Sequence, residues 1–133
     1  MKIKIKSGFT LIELLVVIMI IGILASITIP SFNKSIDNAR EKEARTTLQL
    51  IYNAEKVYRL DKSLYAQVNN TSDNQWGKMA SYIDNPNDAA KYYKYKIDIV
   101  NNTAAPQTFT ATATKKSTSA VITIDQSGAM TPP

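Results

Sequence analysis

The chain has 133 residues and a formal charge of +5, enough for one domain with an apolar stalk and too little for two cores. It contains neither cysteine nor histidine, so no disulfide braces it, and the usual general base and commonest metal ligand are both missing. The positive charge is concentrated at the start. Without Lys2, Lys4, Lys6 and Glu13 the remaining side chains are 13 basic and 10 acidic, a mixed, solvated balance rather than a nucleic-acid footprint.

The first predicted element is a helix. Residues 9–29 are apolar except for Thr10, Glu13, Ser26 and Thr28. At about 1.5 Å of rise per residue this run spans roughly 30 Å, the hydrocarbon thickness of a bilayer. The lysines ahead of it read as a positive-inside signal, with the N-terminus cytoplasmic and the rest across the membrane. Glu13 is the anomaly, because a lone acid at this depth costs a few kcal/mol and needs a partner. A cut between Gly8 and Phe9 would create an α-amino group at nearly the same depth. An amine and a carboxylate about 4 Å apart, at an effective dielectric near 20, attract by on the order of 4 kcal/mol before desolvation. A partnered Glu13 is tolerable there and an orphan one is not.

The lysine-rich leader ending in Gly8, followed by Phe9-Thr10-Leu11-Ile12-Glu13-Leu14-Leu15 and an apolar helix to Pro30, resembles the type IV prepilins and related pseudopilins. The resemblance covers roughly the first 60 residues. It implies that residues 1–8 are a cleaved leader and that a membrane-embedded prepilin peptidase cuts after Gly8 and N-methylates Phe9. It further implies that Glu13 is the charge partner of the new amine on a neighbouring subunit, and that the chain polymerises with itself. An inner-membrane assembly platform and a cytoplasmic ATPase are the implied partners. The implied fold is α+β: a long N-terminal helix, bare in its first half and amphipathic in its second, on a 3–4-stranded antiparallel sheet. The implied location is the bacterial inner membrane before assembly, then an extracellular pilus or a periplasmic pseudopilus. The missing cysteines depart from the disulfide-closed C-terminal region of many pilins. Two plainer readings compete. One is a secretory signal peptide with residues 14–24 as its apolar region and a cut near Ala25-Ser26; the other is a generic signal anchor. Neither explains Gly8-Phe9 and Glu13 together.

Further along the run, Gly22 and Ser26 make a small-xxx-small pair that lets helices approach closely, although a featureless lipid-facing helix fits them equally. Pro30 removes one helical hydrogen bond and predicts a kink or loosened turn, and the resemblance implies that the helix continues past it. Residues 31–60 then become amphipathic, with Ile36, Ala39 or Arg40, Ala44, Leu48, Ile51, Ala54 and Tyr58 at three- and four-residue steps. Glu41–Arg45 and Glu55–Arg59 are predicted acid-to-base pairs one turn apart. The helix is expected to stop near Asp61.

Residues 61–90 read as a connecting loop anchored by Leu64, Tyr65, Trp76, Met79, Tyr82 and Ile83, with a short helix over 75–83. The stretch 84–88 clusters oxygen ligands but lacks the spacing of a calcium loop, so a Pro/Asn turn is the better reading. Period-two alternation predicts one strand over 93–99, a second around Phe109, Ala111 and Ala113, and a third over 120–125, followed by a turn at 126–128 and a short edge. The sheet region is 91–133, and residues 31–133 form the head.

No nucleophile–base pair, phosphate loop or metal cluster is present, so no enzyme activity, cofactor or metal is expected. Asn69-Asn70-Thr71 and Asn101-Asn102-Thr103 fit the N-glycosylation pattern but read better as turns. Lys115 and Lys116 at a hairpin tip, with Lys91, Lys94 and Lys96 nearby, could touch DNA; a solvated edge that resists aggregation is the favoured reading. The predicted function is a structural subunit of a type IV pilus-like filament. The alternatives are a pseudopilin of a type II secretion system and a membrane-anchored surface or DNA-binding module that never polymerises.

Overall fold

A computed structural model describes residues 8–68, 73–100 and 107–131. The leader ahead of Gly8 and both Asn-Asn-Thr motifs lie outside the described residues. The elements run α1 (Leu11–Lys62), a 3-10 helix (Asp73–Met79), α2 (Pro86–Ala89), β1 (Tyr93–Val100), β2 (Thr108–Lys115), β3 (Val121–Asp125) and β4 (Met130–Thr131). Contacts divide the chain into two compact units, residues 1–39 and 40–133.

In the first unit the helix is apolar on all sides and buries almost nothing. Leu11, Ile12, Ile18, Ile21, Leu24, Ile27 and Ile29 are each more than half exposed. Length and composition suit this helix to crossing a membrane. Helical assignment is unbroken through Pro30.

In the second unit α1 buries one stripe, Ala44, Leu48, Ile51, Ala54 and Glu55. Four of those five were expected from the spacing. Ile36 is half-buried and Ala39 exposed, because the core begins only at Ala44. The expected stop near Asp61 lies one residue short of the observed end. Ser63 takes a left-handed φ of 60° and its N–H returns to the Arg59 carbonyl at 2.8 Å, closing the last turn.

The sheet is an antiparallel meander in the order β1-β2-β3-β4. Its inner rows are Tyr95–Ala113–Ile122 and Ile97–Ala111–Ile124. These residues join Leu48, Ile51 and Phe109 in one cluster. Alanines in the middle strand leave room for bulkier neighbours on either side. Each fully buried Leu, Ile or Phe contributes roughly 1.5–3 kcal/mol. The outer face carries Lys94, Lys96 and Asp98 opposite Thr114, Thr112 and Thr110.

The outer edge of β1 is occupied. Val68 and Ile97 exchange N–H···O bonds of 3.0 and 2.8 Å, and the Asn87 side chain both accepts from the Tyr95 N–H and donates to its carbonyl. Asn87 is held by a cap: Asn85 Oδ1 accepts the Asn87 N–H at 3.0 Å, and Pro86 supplies the first helical residue. The stretch 84–88 therefore holds a one-turn helix where a plain turn was expected. The short helix predicted over 75–83 is 3-10 and ends at Met79. Tyr65, Trp76 and Met79 are buried as anchors, Tyr82 and Ile83 are half-buried, and Leu64 is exposed instead.

Candidate functional site: the head of the apolar helix

Gly8 lies three residues ahead of the first helical residue, Leu11, and Phe9 is 77% exposed. A Cβ on Gly8 would meet nothing within 4 Å, so this chain's own packing does not require a glycine there. The same holds for Gly22.

Glu13 sits in the first turn of α1. One carboxylate oxygen, Oε2, accepts the Thr10 N–H at 2.9 Å and the Thr10 hydroxyl at 2.7 Å, while the Glu13 N–H reaches back to Thr10 Oγ1 at 3.3 Å. This is a capping box, in which threonine and the acid three residues on satisfy each other's donors. It answers the need for a partner from within the chain, and the Thr10-Leu11-Ile12-Glu13 spacing alone is its signal. The sequence reading placed Glu13 against an amine and missed Thr10. A cut after Gly8 would leave the box intact, because the Thr10 N–H belongs to the Phe9–Thr10 bond.

The other polar exceptions close on themselves as well. Ser26 donates to the Ile23 carbonyl at 2.7 Å and Thr28 to the Leu24 carbonyl at 2.8 Å. All four polar side chains of the run are thus hydrogen-bonded inside their own helix, as a lipid environment demands. Both back-bonds lie in the two turns ahead of Pro30. Beside Glu13, the residues Phe9, Ile12, Val16 and Val17 line a shallow apolar hollow.

A few basic residues of the head lie toward one end of the sheet. Lys115 lies opposite the buried Tyr93, whereas Lys94 lies opposite Thr114 on the outer face of the sheet. The Lys116 N–H donates to the Tyr92 carbonyl and its ammonium to the Ala90 carbonyl at 2.7 Å. The Tyr92 ring carries the Arg40 guanidinium at 3.8 Å and the Lys91 ammonium at 5.7 Å. Lys96 does not belong with them, since it pairs with Asp98 at 2.7 Å. Among the described residues no cluster of acids, cysteines or histidines could hold a metal.

A family model described as a prokaryotic N-terminal methylation motif matches residues 3–29. A second, described as "Type IV minor pilin ComP, DNA uptake sequence receptor", matches residues 30–126. The chain belongs to the type IV pilin family. The pilin is 30% identical over 123 residues to a fimbrial protein of Moraxella nonliquefaciens, covering 84% of this chain and 80% of that one. It is 46% identical over 65 residues to the type IV major pilin protein PilA of Myxococcus xanthus, covering 49% of this chain and 30% of the relative. It is 39% identical over 64 residues to the type II secretion system core protein G of Vibrio cholerae, covering 48% and 44%. The match thus spans less than half the length of these last two relatives. No solved structure matches the chain significantly.

Proposed function

We propose that this pilin is a subunit of a type IV pilus-like filament, stored in the inner membrane by residues 9–29 with its N-terminus in the cytoplasm. A prepilin peptidase removes residues 1–8 and methylates the amine of Phe9. The apolar helix then leaves lipid for the filament, where Gly22 and Ser26 admit close neighbours and Pro30 lets the helix bend. Glu13 exchanges its contact with Thr10 for the amine of an adjacent subunit, which fixes axial register. An assembly platform and a cytoplasmic ATPase supply the machinery, and the head has no enzymatic role. The observation that carries this reading is the unburied apolar helix, headed by an acid three residues after a threonine and five after a glycine that local packing does not require.

Its test is Glu13→Ala in a strain that makes the filament, scored by electron microscopy and by N-terminal sequencing of the product. The expected outcome is a chain that still begins at Phe9 and forms no filaments. Normal filaments would remove the role given to Glu13. A start at Ser26 or Ile27 would point instead to an ordinary signal peptide.

The description of the matching head family supports a second role, contact with DNA. In this chain Lys91, Lys115, Lys116 and Arg40, gathered near Tyr92, supply the charge for phosphates. Each phosphate neutralised on duplex DNA adds about −0.9 to the slope of log affinity against log salt. Replacing Lys91, Lys115 and Lys116 together by alanine is expected to lower duplex affinity and flatten that slope by about two to three, with filaments still made. An unchanged slope would exclude this end of the sheet. Assembly into a pseudopilus is the alternative to a surface filament, favoured only by the N-terminal match to the secretion protein; a secretion defect without loss of surface filaments in a deletion strain would select it.

A further inference from the structure

Glu55 is fully buried on the inward stripe of α1, between Ala54 and the residues that lead to the end of the helix. Its expected partner Arg59 is elsewhere, donating to the Tyr65 hydroxyl at 2.7 Å. Glu55 Oε2 accepts one hydrogen bond, from the Ala66 N–H at 3.0 Å. Oε1 accepts none among the described residues. A neutral carboxyl can live with one partner in such a site, whereas a carboxylate has room for about four donors and is far more costly to keep dry.

The bond to Ala66 ties α1 to the segment that turns back after the helix. Other contacts hold that segment as well. The Tyr65 N–H donates to Gln107 Oε1 at 3.2 Å, Arg59 holds the Tyr65 hydroxyl, and Val68 pairs with Ile97. Tyr65, Ala66 and Val68 are themselves buried in the core, so water reaches the carboxyl on this side only if the segment parts from α1.

We propose that Glu55 is a proton-controlled latch: neutral, it holds residues 64–68 against α1, and on ionising it lets that segment open. Among the described residues the groups nearest to it are engaged elsewhere. On its own helix Lys56 lies over the Tyr52 ring, Arg59 is on Tyr65, and Tyr58 packs on Tyr82. On the returning segment the titratable group is Tyr65, held by Arg59. On the sheet Lys94, Lys96 and Asp98 lie on the outer face and Asp125 is bound in its own turn. Burial pushes the carboxyl up from its ordinary 4.5 to about 7, with the Ala66 N–H opposing. The latch is therefore closed in mildly acidic surroundings and opens as they turn alkaline.

The test is amide hydrogen exchange by NMR on the full chain in detergent, with intrinsic chemical rates divided out. From about pH 5.5 to about pH 8.5 the protection of Ala66 and Val68 is expected to fall at least about tenfold, while Ala111 and Ala113 in β2 keep theirs. Glu55→Gln is expected to keep Ala66 protected at both values. Equal loss in wild type and Glu55→Gln, or equal loss at β2, would overturn the latch. Should Glu55→Gln fail to fold, carboxyl carbon shifts of wild type decide. A Glu55 that titrates with the exposed glutamates overturns the proposal, and one that titrates near neutrality upholds it.

Discussion

The two halves of α1 follow opposite rules. Residues 11–29 are apolar on every side and find nothing in their own unit to cover them, whereas residues 44–55 bury one stripe and leave the rest to water. Each half holds a glutamate in a setting that would ordinarily forbid it, and each solves the problem differently. Glu13 is capped by Thr10 with one face open to whatever comes next. Glu55 is sealed, with a single backbone donor. The first half is built to meet something outside the chain; the second is complete as it stands.

The sharpest way to break this contrast is to damage only the completed half. Phe109 is fully buried and touches the rings of Tyr52 and Tyr65. Phe109→Ala is expected to cost the head about 3–5 kcal/mol in urea denaturation while membrane insertion is unaffected. A loss of insertion would mean the two halves are not separable.

Next in size is the pH dependence of head stability. Glu55 titrates near about 7 when folded and near its ordinary 4.5 when unfolded. Its contribution is full below the lower value and is lost as pH rises through the upper one, so stability should decline across that window. The decline is bounded at about 3 kcal/mol, and Glu55→Gln should flatten it. Rising stability over the same window would contradict a sealed carboxyl.

In the open half, Thr10→Ala removes the hydroxyl that donates to Glu13 and accepts the Glu13 N–H, and leaves the backbone N–H of residue 10 as the one donor to the carboxylate. A lost N-cap is expected to cost the helix start about 1 kcal/mol, with cleavage unchanged and fewer filaments per cell by microscopy. Unaltered filament numbers would show that Thr10 acts only within the isolated chain. The smallest effect is at the far end of the helix. Ser63→Gly relieves a left-handed serine and should raise the denaturation midpoint by the equivalent of up to about 1 kcal/mol.

Much of this was readable from residue order, for identifiable reasons. The apolar run, the change to a three- and four-residue period and the later change to a period of two each extend over many residues, so local noise cannot hide them. Glu55 was misread because the pairing rule that joined it to Arg59 sees only one helix. It cannot know that Ala66 returns to the same place after Ser63 ends the helix. β4 is two residues long, too short for any period to appear. The cap at Asn85 and Pro86 was written plainly in the residues, yet the turn propensity of the same asparagine and proline concealed it. Thr10 was hidden by its neighbour: the oddity of an acid in an apolar run drew the argument toward a distant amine and past the hydroxyl three residues away.

The edge of β1 has a consequence for crowding. Tyr95 and Ile97 already spend their outward amides and carbonyls on Asn87 and Val68, so a ribbon from another copy finds no ladder there to join. Heads brought shoulder to shoulder at high density resist fusing by strand addition along that side, and whatever order exists among many copies must be written elsewhere in the chain.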